Sequence, residues 1–294
     1  MRLSFELIYY GDCKDMIEFY KRIFNHAETK IQTYAEMPGA EVLGIKEQGL
    51  GMVWRGTLEI SYGGHAIRFK LSDSLIIASG GDVGYKAQAY NPLICIEHPD
   101  EAYVCSLFEK IYCGKYSFEE IQKGIYSDKY GIRWIYKKSV QSRIYHCLEF
   151  RGNCSEVADY VKNACQADIT EQVRYADSPY ANEIDAEAKD KIYRMLMKFS
   201  DIDRSYAIKY SDSLESAIQN LNGYGSEHKL WYQIIIVLED SDEKYMLQSF
   251  KRLSEGATLN RPISPDEEGR LYGSMIDRYG FVWEVFSCRD RRSV

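Results

Sequence analysis

The sequence lacks the features of a membrane-spanning or exported chain. None of its apolar runs approaches the roughly 20 consecutive residues that cross a bilayer as a helix. The opening stretch, MRLSFELIYYGDC, contains neither a long apolar segment nor a small-residue cleavage site, so a signal peptide is not expected. We therefore expect a cytoplasmic protein that does not act at a membrane.

Cysteine and histidine are present, but they do not occur in metal-binding patterns. The eight cysteines are scattered singly without a Cys-x-x-Cys pair, and the five histidines form no sequence cluster with them. This arrangement argues against a zinc finger and against a redox-active dithiol, and it predicts free thiols. No strand-like segment ends in the glycine-rich loop that a nucleotide-like cofactor requires, so no cofactor is predicted.

A basic stripe is also missing from the sequence. The chain carries 37 Lys and Arg against 44 Asp and Glu, a formal net charge of −7, with the two signs interspersed. Proteins that bind nucleic acid usually show clustered positive charge, so nucleic acid is not an expected partner. Tyrosine is abundant, with 25 residues against 11 phenylalanines. It suits amphipathic pockets because an apolar ring carries a polar tip, although compositional drift would give the same count.

The chain contains an internal repeat. The segment YYGDCKDMIEFYKRIF at 9–24 matches FRGNCSEVADYVKNAC at 150–165. Near the end of each half, DKYGIRW at 128–134 matches DRYGFVW at 277–283. The matches keep the same order, as a duplication with loop insertions would produce. The sequence therefore predicts two tandem domains, which cover residues 1–139 and 143–289.

Within each copy, the hydrophobic pattern predicts an alternation of strands and helices. LSFELIYY alternates like a strand, and Asp12 is placed to cap a helix whose apolar side chains recur on one face. HAIRFKLSDSLIIASGG, at 65–81, contains two β-rich runs broken by Ser-Asp-Ser and predicts a hairpin. Later strands lead into helices capped by Asp100 and Asp242, and YGIRWIYKK or GFVWEVFS closes each copy. The predicted fold class is α+β.

These motifs together resemble the PhnB-like branch of the vicinal-oxygen-chelate superfamily, which includes glyoxalases, bleomycin-resistance proteins and dioxygenases. The resemblance rests on the Gly-Asp-Cys or Gly-Asn-Cys turn before a helix, on HAIRFKLSDSLIIASGGD and on the closing Asp-Lys/Arg-Tyr-Gly-x-x-Trp. It implies two tandem domains, each of paired βαβββ modules whose mixed sheet curls around a cleft. Single-domain members commonly dimerise. The chain thus resembles such a dimer fused into one polypeptide, an intramolecular pseudo-dimer that is itself a monomer or a homodimer.

In enzymes that this superfamily contains, side chains on inward strand positions hold a divalent metal in the cleft. The ligands usually come from the first and last strands of the modules, and alternate residues of a strand face opposite sides. On that frame the first copy offers Phe5 and Ile135, which cannot ligate a metal, and the second offers His146 and Glu284. A catalytic metal normally needs three protein donors, so this pair is a remnant at best and no metal is predicted. A core histidine and a rim ion pair are the simpler explanations of the two residues.

The function expected from this resemblance is binding of a small apolar or zwitterionic molecule in an aromatic-lined cleft, without a metal. Two alternatives stay open: a metal-dependent lyase, isomerase or dioxygenase acting in the C-terminal domain, and a ligand-free interaction protein. Trp134 and Trp283 have the opposite parity and are expected beneath the helices, while His65 either lines the barrel or touches the ligand. The residues expected to line the clefts are Phe5, Leu7, Tyr9, His65, Ile135, His146, Leu148, Phe150, Glu284 and Phe286.

Overall fold

The computed structural model of the chain contains two compact units. The N-terminal unit comprises Ser4–Pro92 and Ile96–Ile144, and the C-terminal unit comprises Met1–Leu3, Leu93–Cys95 and Tyr145–Val294. The domain limits taken from the repeat stay a prediction. The structure describes residues 1–294 with the exception of 26, 82–91, 151, 180, 183, 201–204, 213–234, 267–268 and 289–294.

Strands and helices alternate through the first half of the chain, as the hydrophobic pattern predicts. A three-residue 3-10 turn, Tyr34–Glu36, follows the second strand. In chain order the elements are β1 (Arg2–Tyr9), α1 (Cys13–Ile23), β2 (Ala27–Thr33), α2 (Glu47–Leu50), β3 (Val53–Tyr62), β4 (His65–Asp73), α3 (Leu75–Ala78), β5 (Leu93–His98), α4 (Glu101–Tyr112), α5 (Phe118–Lys123), β6 (Tyr126–Ser127) and β7 (Arg133–Lys138).

The second half of the chain repeats this alternation. Two 3-10 turns, Tyr175–Asp177 and Ala186–Ala188, lie between its second and third strands. Its strands and helices are β8 (Arg143–Phe150), α6 (Cys154–Cys165), β9 (Asp168–Arg174), β10 (Ile192–Ser200), β11 (Ser205–Asp212), β12 (Ile235–Asp240), α7 (Glu243–Leu253), β13 (Thr258–Pro265), β14 (Leu271–Ile276) and β15 (Val282–Ser287).

The strand pairing follows one plan three times. β1 runs parallel to β4, and β4, β3 and β2 are antiparallel neighbours in that order. In the same way β8 runs parallel to β11, which continues antiparallel to β10 and β9, and β12 runs parallel to β15, which continues to β14 and β13. The segment from β5 to β7 is a shorter version, in which β6 and β7 pair antiparallel. The predicted α+β fold of paired βαβββ modules is confirmed.

The hairpin predicted over 65–81 is wrong in its second arm. His65–Asp73 forms β4 as expected, but Leu75–Ala78 forms the short helix α3. The antiparallel partner of β4 is β3, and the two are joined by Gly63 and Gly64, whose φ angles are 58° and 79°. A two-residue hairpin loop with left-handed backbone favours glycine at both positions, so Tyr-Gly-Gly-His was the available sequence signal.

A buried aspartate at the end of β4 holds the start of helix α1. Oδ1 of Asp73 accepts from the backbone N–H groups of Gly11 at 2.9 Å and Cys13 at 3.2 Å, while Oδ2 accepts from Val53 at 2.8 Å. Asp12 occupies the N-cap position, yet within the described part of the chain its side chain makes no capping hydrogen bond. The expected local cap is therefore replaced by a cap from a distant strand.

The second half contains the same arrangement at the start of α6. Oδ1 of Asp212 accepts from Gly152 at 2.9 Å and from Cys154 at 3.0 Å, and Oδ2 accepts from Ile192 at 2.9 Å. In both halves, the backbone N–H groups of the Gly and Cys in the Gly-x-Cys element thus donate to a buried carboxylate. This agreement between the halves supports the internal repeat at the level of individual hydrogen bonds.

The closing motif Asp-x-Tyr-Gly-x-x-Trp is a structural turn before the last strand of each half. Oδ1 of Asp277 accepts from the backbone N–H groups of Tyr279 and Phe281 at 2.8 and 2.9 Å, and Oδ2 accepts from Nε1 of Trp283 at 2.8 Å. Burial raises the pKa of Asp277 above its ordinary value despite these hydrogen bonds. In the first half the corresponding residues are Asp128, Tyr130, Ile132 and Trp134.

Candidate functional site

The opening strand of the first half turns its odd-numbered residues towards helix α1. The hydroxyl of Tyr9 donates to the carbonyl oxygen of Tyr130 at 3.5 Å, and the ring of Tyr130 lies 5.3 Å from that of Phe19 on α1. Phe5 and Leu7 share this face because alternate residues of a strand point the same way, and both are buried. The structure therefore places these three residues in the core beside α1, on the face opposite to the one expected from the sequence.

The opening strand of the second half has the same orientation. Phe150 pairs with Asp212 on β11, and Asp212 accepts from the backbone N–H of Cys154 at the start of α6. His146 and Leu148 share the face of Phe150, and His146 is only 2% exposed. These side chains consequently lie on the α6 side of the sheet.

His65 also lies on the core-facing side of its strand. On β4, Phe69 pairs with Phe5, so the odd-numbered residues of β4 share the face that Phe5 occupies. His65 opens this strand, is half-buried and pairs with Tyr62 across the hairpin. The ring of Tyr62 lies 5.8 Å from that of His98, so His65 adjoins an aromatic cluster of the N-terminal unit.

The closing strand of the second half shows which of its faces is covered by a helix. Gly273 on β14 pairs with Val285 on β15, and a Cβ added to Gly273 would come within 2.5 Å of the Phe250 ring on α7. Val285 therefore faces α7. Glu284 and Phe286 alternate with Val285 and point to the other side, which we call the open face of the sheet.

The tryptophans of the closing strands lie on the helix side. The ring of Trp134 stacks on Phe24 at 5.8 Å, directly after α1, and Trp283 shares the face of Val285 that α7 covers. Both indoles are fully buried. Ile135 alternates with Trp134 and accordingly lies on the open face of its own strand.

Four side chains on the open face of the second half form a group that we call the open-face cluster: Arg261, Tyr272, Glu284 and Phe286. The hydroxyl of Tyr272 donates to Oε1 of Glu284 at 3.1 Å. The rings of Tyr272 and Phe286 stack with centroids 4.6 Å apart. The guanidinium of Arg261 lies over the Tyr272 ring at 4.8 Å. Strands β13, β14 and β15 thus bring a carboxylate, two aromatic rings and a cation together.

The chemistry of the open-face cluster suits a polar organic molecule with an apolar part. An ionised carboxylate offers about four acceptor positions, and the hydroxyl of Tyr272 uses one of those on Glu284. The remaining positions can accept hydrogen bonds from an ammonium or hydroxyl group. The stacked rings offer apolar surface, and their faces also attract cations. Glu284, Tyr272 and Phe286 are half-buried, so solvent reaches them in part.

Two members of the open-face cluster, Glu284 and Phe286, were predicted from the sequence to line a cleft, whereas Arg261 and Tyr272 were not predicted. The pattern LYGSMI does alternate, and Tyr272 occupies the same face as Phe286 because the two pair directly. Strand β12 extends to Asp240 and pairs Glu239 with Phe286, which adds a second carboxylate to the open face.

The residues present do not fit the divalent metal that the fold implies. His146 points to the α6 side of its strand, whereas Glu284 points away from α7, so the two expected donors do not face a common cleft. Across the described ranges, no three His, Cys, Asp or Glu side chains are grouped so that they could hold a metal ion. A catalytic site normally takes three protein donors.

Adding Ni²⁺ or Mn²⁺ to the metal-free protein is expected to leave its thermal unfolding midpoint unchanged. A ligand that binds only the folded state raises stability, by about 2.7 kcal/mol at a hundredfold excess over Kd, so a real site would be visible. Differential scanning calorimetry with and without the ions measures this effect. Stoichiometric metal that is retained through purification and lost in Glu284→Gln would contradict the expectation.

A groove of about 550 Å³ lies on the helix side of the C-terminal unit, beside α6 and α7. Arg252 donates to the carbonyl oxygen of Asn163 at 3.1 Å, and Arg278 donates to that of Glu255 at 3.0 Å. Basic side chains that bind carbonyls near helix C-terminal ends stabilise those ends. We therefore attribute the groove to helix packing. It is lined by Tyr160, Asn163, Ala164, Arg252, Glu255 and Arg278.

Comparison with known proteins identifies the fold. No family model and no curated protein match the sequence. Among solved structures, glyoxalase I from Zea mays matches with a TM-score of 0.52 at 12% identity, over 97% of this chain and 92% of that chain. A protein from Pseudomonas aeruginosa is 23% identical over 49% of this chain and 96% of its own, with a TM-score of 0.38. A PhnB protein from Bacillus cereus is 15% identical over 48% and 96%, with a TM-score of 0.34.

The match to maize glyoxalase I extends over nearly the whole chain, and it shows that the chain has the fold of that protein. The fold implied by the motif resemblance is therefore confirmed. Sequence identity of 12% carries no information about a shared activity. A search of the described helices finds none with the length and apolar character needed to span a bilayer.

Proposed function

We propose that the chain binds a small organic molecule on the open-face cluster, without a metal ion and without chemical conversion of the ligand. The ligand class that fits is a zwitterionic or cationic molecule with an apolar or aromatic group. The observation that carries the proposal is the contact of Tyr272 with both Glu284 and Phe286, at 3.1 Å and 4.6 Å. We further propose that the protein works in the cytoplasm, independently of nucleic acid and of membranes.

Glu284 supplies the group that would orient such a ligand. Its carboxylate is held by the hydroxyl of Tyr272 and keeps acceptor positions for an ammonium group. A hydrogen bond between two charged groups contributes about 1.5–3 kcal/mol, roughly twice the value of a neutral one. One such contact therefore selects a cationic ligand over a neutral hydrogen-bonding ligand by about 3- to 10-fold.

Phe286 and Arg261 would select the remaining parts of the ligand. Stacked aromatic rings bury apolar surface at low cost in side-chain freedom, so the Tyr272–Phe286 pair favours an apolar or aromatic group. Arg261 belongs to the exposed strand β13, and its guanidinium lies over the Tyr272 ring. Its guanidinium can pair with a carboxylate of the ligand, which makes a zwitterion the best match.

The proposal assigns binding to the second half of the chain alone. The corresponding strand position of the first half, four residues after the glycine of the closing motif, is Ile135. An isoleucine can contact an apolar group but cannot orient an ammonium group. Two copies of one fold would thus differ in ligand chemistry because of one open-face position.

A thermal-shift screen of amines and amino acids with aromatic or aliphatic groups is expected to find compounds that bind the protein. Calorimetric titration then gives the affinity of each hit. Glu284→Gln should weaken a cationic hit by about 10- to 100-fold, since it removes the charge and keeps the shape. Tyr272→Phe should weaken it less. Glu156→Gln on α6 is the matched control and should leave the affinity unchanged. A screen without hits would favour a ligand-free interaction role, and a hit indifferent to Glu284→Gln would place binding elsewhere.

A further inference from the structure

Two cysteines that are distant in sequence are adjacent in the C-terminal unit. Cys95 belongs to the Leu93–Cys95 segment of β5, and Cys147 lies on the neighbouring strand β8. Their thiols are close enough to affect each other's pKa, and both side chains are buried, with 0% and 4% exposure. A disulfide requires Cα atoms about 4.4–6.8 Å apart, a separation that directly opposed residues on neighbouring strands satisfy.

A lysine completes this group on the next strand. Lys209 on β11 pairs directly with Cys147 on β8, so their side chains share one face of the sheet. Glu149 lies two residue pairs further along, opposite Ser211, and therefore shares this face. Burial lowers the pKa of Lys209, but negative charge on Cys147 and Cys95 in their thiolate forms, and on Glu149, raises it more, and the net pKa is raised. Lys209 is therefore an ammonium group at neutral pH, beside two thiols.

The thiols are protected in the resting state. Burial raises the pKa of Cys147 well above its usual value, and the nearby thiol of Cys95 adds to this effect. The positive charge of Lys209 acts in the opposite direction and favours the thiolate. A thiolate is the nucleophile in cysteine oxidation, so the lysine assists the reaction that burial slows.

We propose that Cys95 and Cys147 are a redox modification site, at which a hydroperoxide converts the two thiols into a reversible disulfide. Lys209 is the positioning residue that stabilises the reacting thiolate. The cross-link would join strands β5 and β8 and would fasten the Leu93–Cys95 segment to the rest of the C-terminal unit. This site is independent of the ligand site proposed above.

The reaction balances in two steps. The thiolate of Cys147 attacks one oxygen of the hydroperoxide, the O–O bond breaks, and water or an alcohol leaves after protonation. The product is a sulfenic acid on Cys147. The thiol of Cys95 then loses its proton and attacks that sulfur, the S–S bond forms, the S–O bond breaks, and water leaves. Two thiols are oxidised, one peroxide is reduced, and a dithiol reductant reverses the change.

The test is oxidation of the full chain with hydrogen peroxide, alkylation of the remaining thiols and mass spectrometry of non-reduced peptides. We expect one peptide pair that joins Cys95 to Cys147, lighter by two hydrogens than the sum of its parts and lost on reduction. Cys95→Ser should leave a sulfenic acid on Cys147 that dimedone captures. The exposed Cys113 offers a control, because Cys113→Ser should leave the cross-link unchanged.

Lys209→Met tests whether the lysine stabilises the reacting thiolate, and it should slow cross-linking by about tenfold. Lys244→Met, which removes an exposed lysine on α7, is the matched control. Circular dichroism checks that the variants are folded. If a variant does not fold, the peptide map of the unaltered protein still tests whether Cys95 and Cys147 form a cross-link. Full oxidation of Cys113 without a Cys95–Cys147 cross-link would overturn the site, and an unchanged rate in folded Lys209→Met would overturn the assignment of the lysine.

Discussion

Replacing Trp283 by alanine is expected to lower the free energy of unfolding of the C-terminal unit by about 3–5 kcal/mol. The indole is fully buried on the side of the sheet that α7 covers, and its Nε1 donates to Asp277 at 2.8 Å. Alanine would leave a cavity and would remove one donor from a buried carboxylate, and both effects destabilise the folded state. Urea-induced unfolding followed by circular dichroism measures the loss.

Two further variants separate the contributions of volume and hydrogen bonding. Trp283→Phe keeps most of the ring but lacks the donor to Asp277, so its effect should lie between those of the unaltered protein and Trp283→Ala. Trp54→Ala is the control, since Trp54 is only half-buried on β3 and should cost less. A loss below about 1 kcal/mol for Trp283→Ala would mean that the closing strand does not pack beneath α7.

Replacing Asp212 by alanine is expected to destabilise the same unit by about 3–5 kcal/mol, because three backbone N–H groups lose their acceptor at once. Each buried donor without a partner costs about 1–3 kcal/mol. Asp212→Asn should have an intermediate effect. Its single oxygen can still accept from Gly152 and Cys154, but its amide would meet the N–H of Ile192. Chemical unfolding monitored by circular dichroism gives both values.

The internal repeat provides a matched variant and a control for this prediction. Asp73→Ala removes the same three contacts in the N-terminal unit and should produce a loss of similar size. Asp12→Ala alters an exposed side chain at the start of α1 and should change stability by no more than about 0.5 kcal/mol. If Asp12→Ala were as damaging as Asp73→Ala, the helix would be capped locally and the proposed role of the distant aspartate would be wrong.

Much of the fold was predictable because its signals are local. The matches at 9–24 and 150–165 predict two copies, and alternation in GFVWEVFS predicts a strand with Trp283 on one face and Glu284 on the other. The structure agrees on these points because a strand with one covered face carries its apolar side chains at a period of two. Asp100 and Asp242 cap their helices as predicted, with bonds to Tyr103 and Tyr245.

The orientation of the opening strands was not predictable in this way. In β8, residues on both faces are buried, among them His146 and Cys147, so alternation reveals two faces but not which of them meets the helix. The orientation follows from Asp212, which is distant in sequence. Asp212 pairs with Phe150 and also accepts a hydrogen bond from the start of α6, so Phe150 faces α6. For the same reason the sequence could not show that His146 and Glu284 point to opposite sides of their sheets.

The sequence by itself determined most of the alternation of strands and helices, apart from the second arm of the 65–81 hairpin, and the face of Glu284, since each depends on residues within one short segment. The duplication followed from the match between the segments 9–24 and 150–165. Only the tertiary structure decided which side chains meet. Scattered cysteines indicated isolated thiols, yet the pairing of neighbouring strands brings Cys95, Cys147 and Lys209 together. It also brings Arg261 and Tyr272 to Glu284. The physical reason is that contacts across a sheet depend on strand neighbours and register, which local periodicity does not encode.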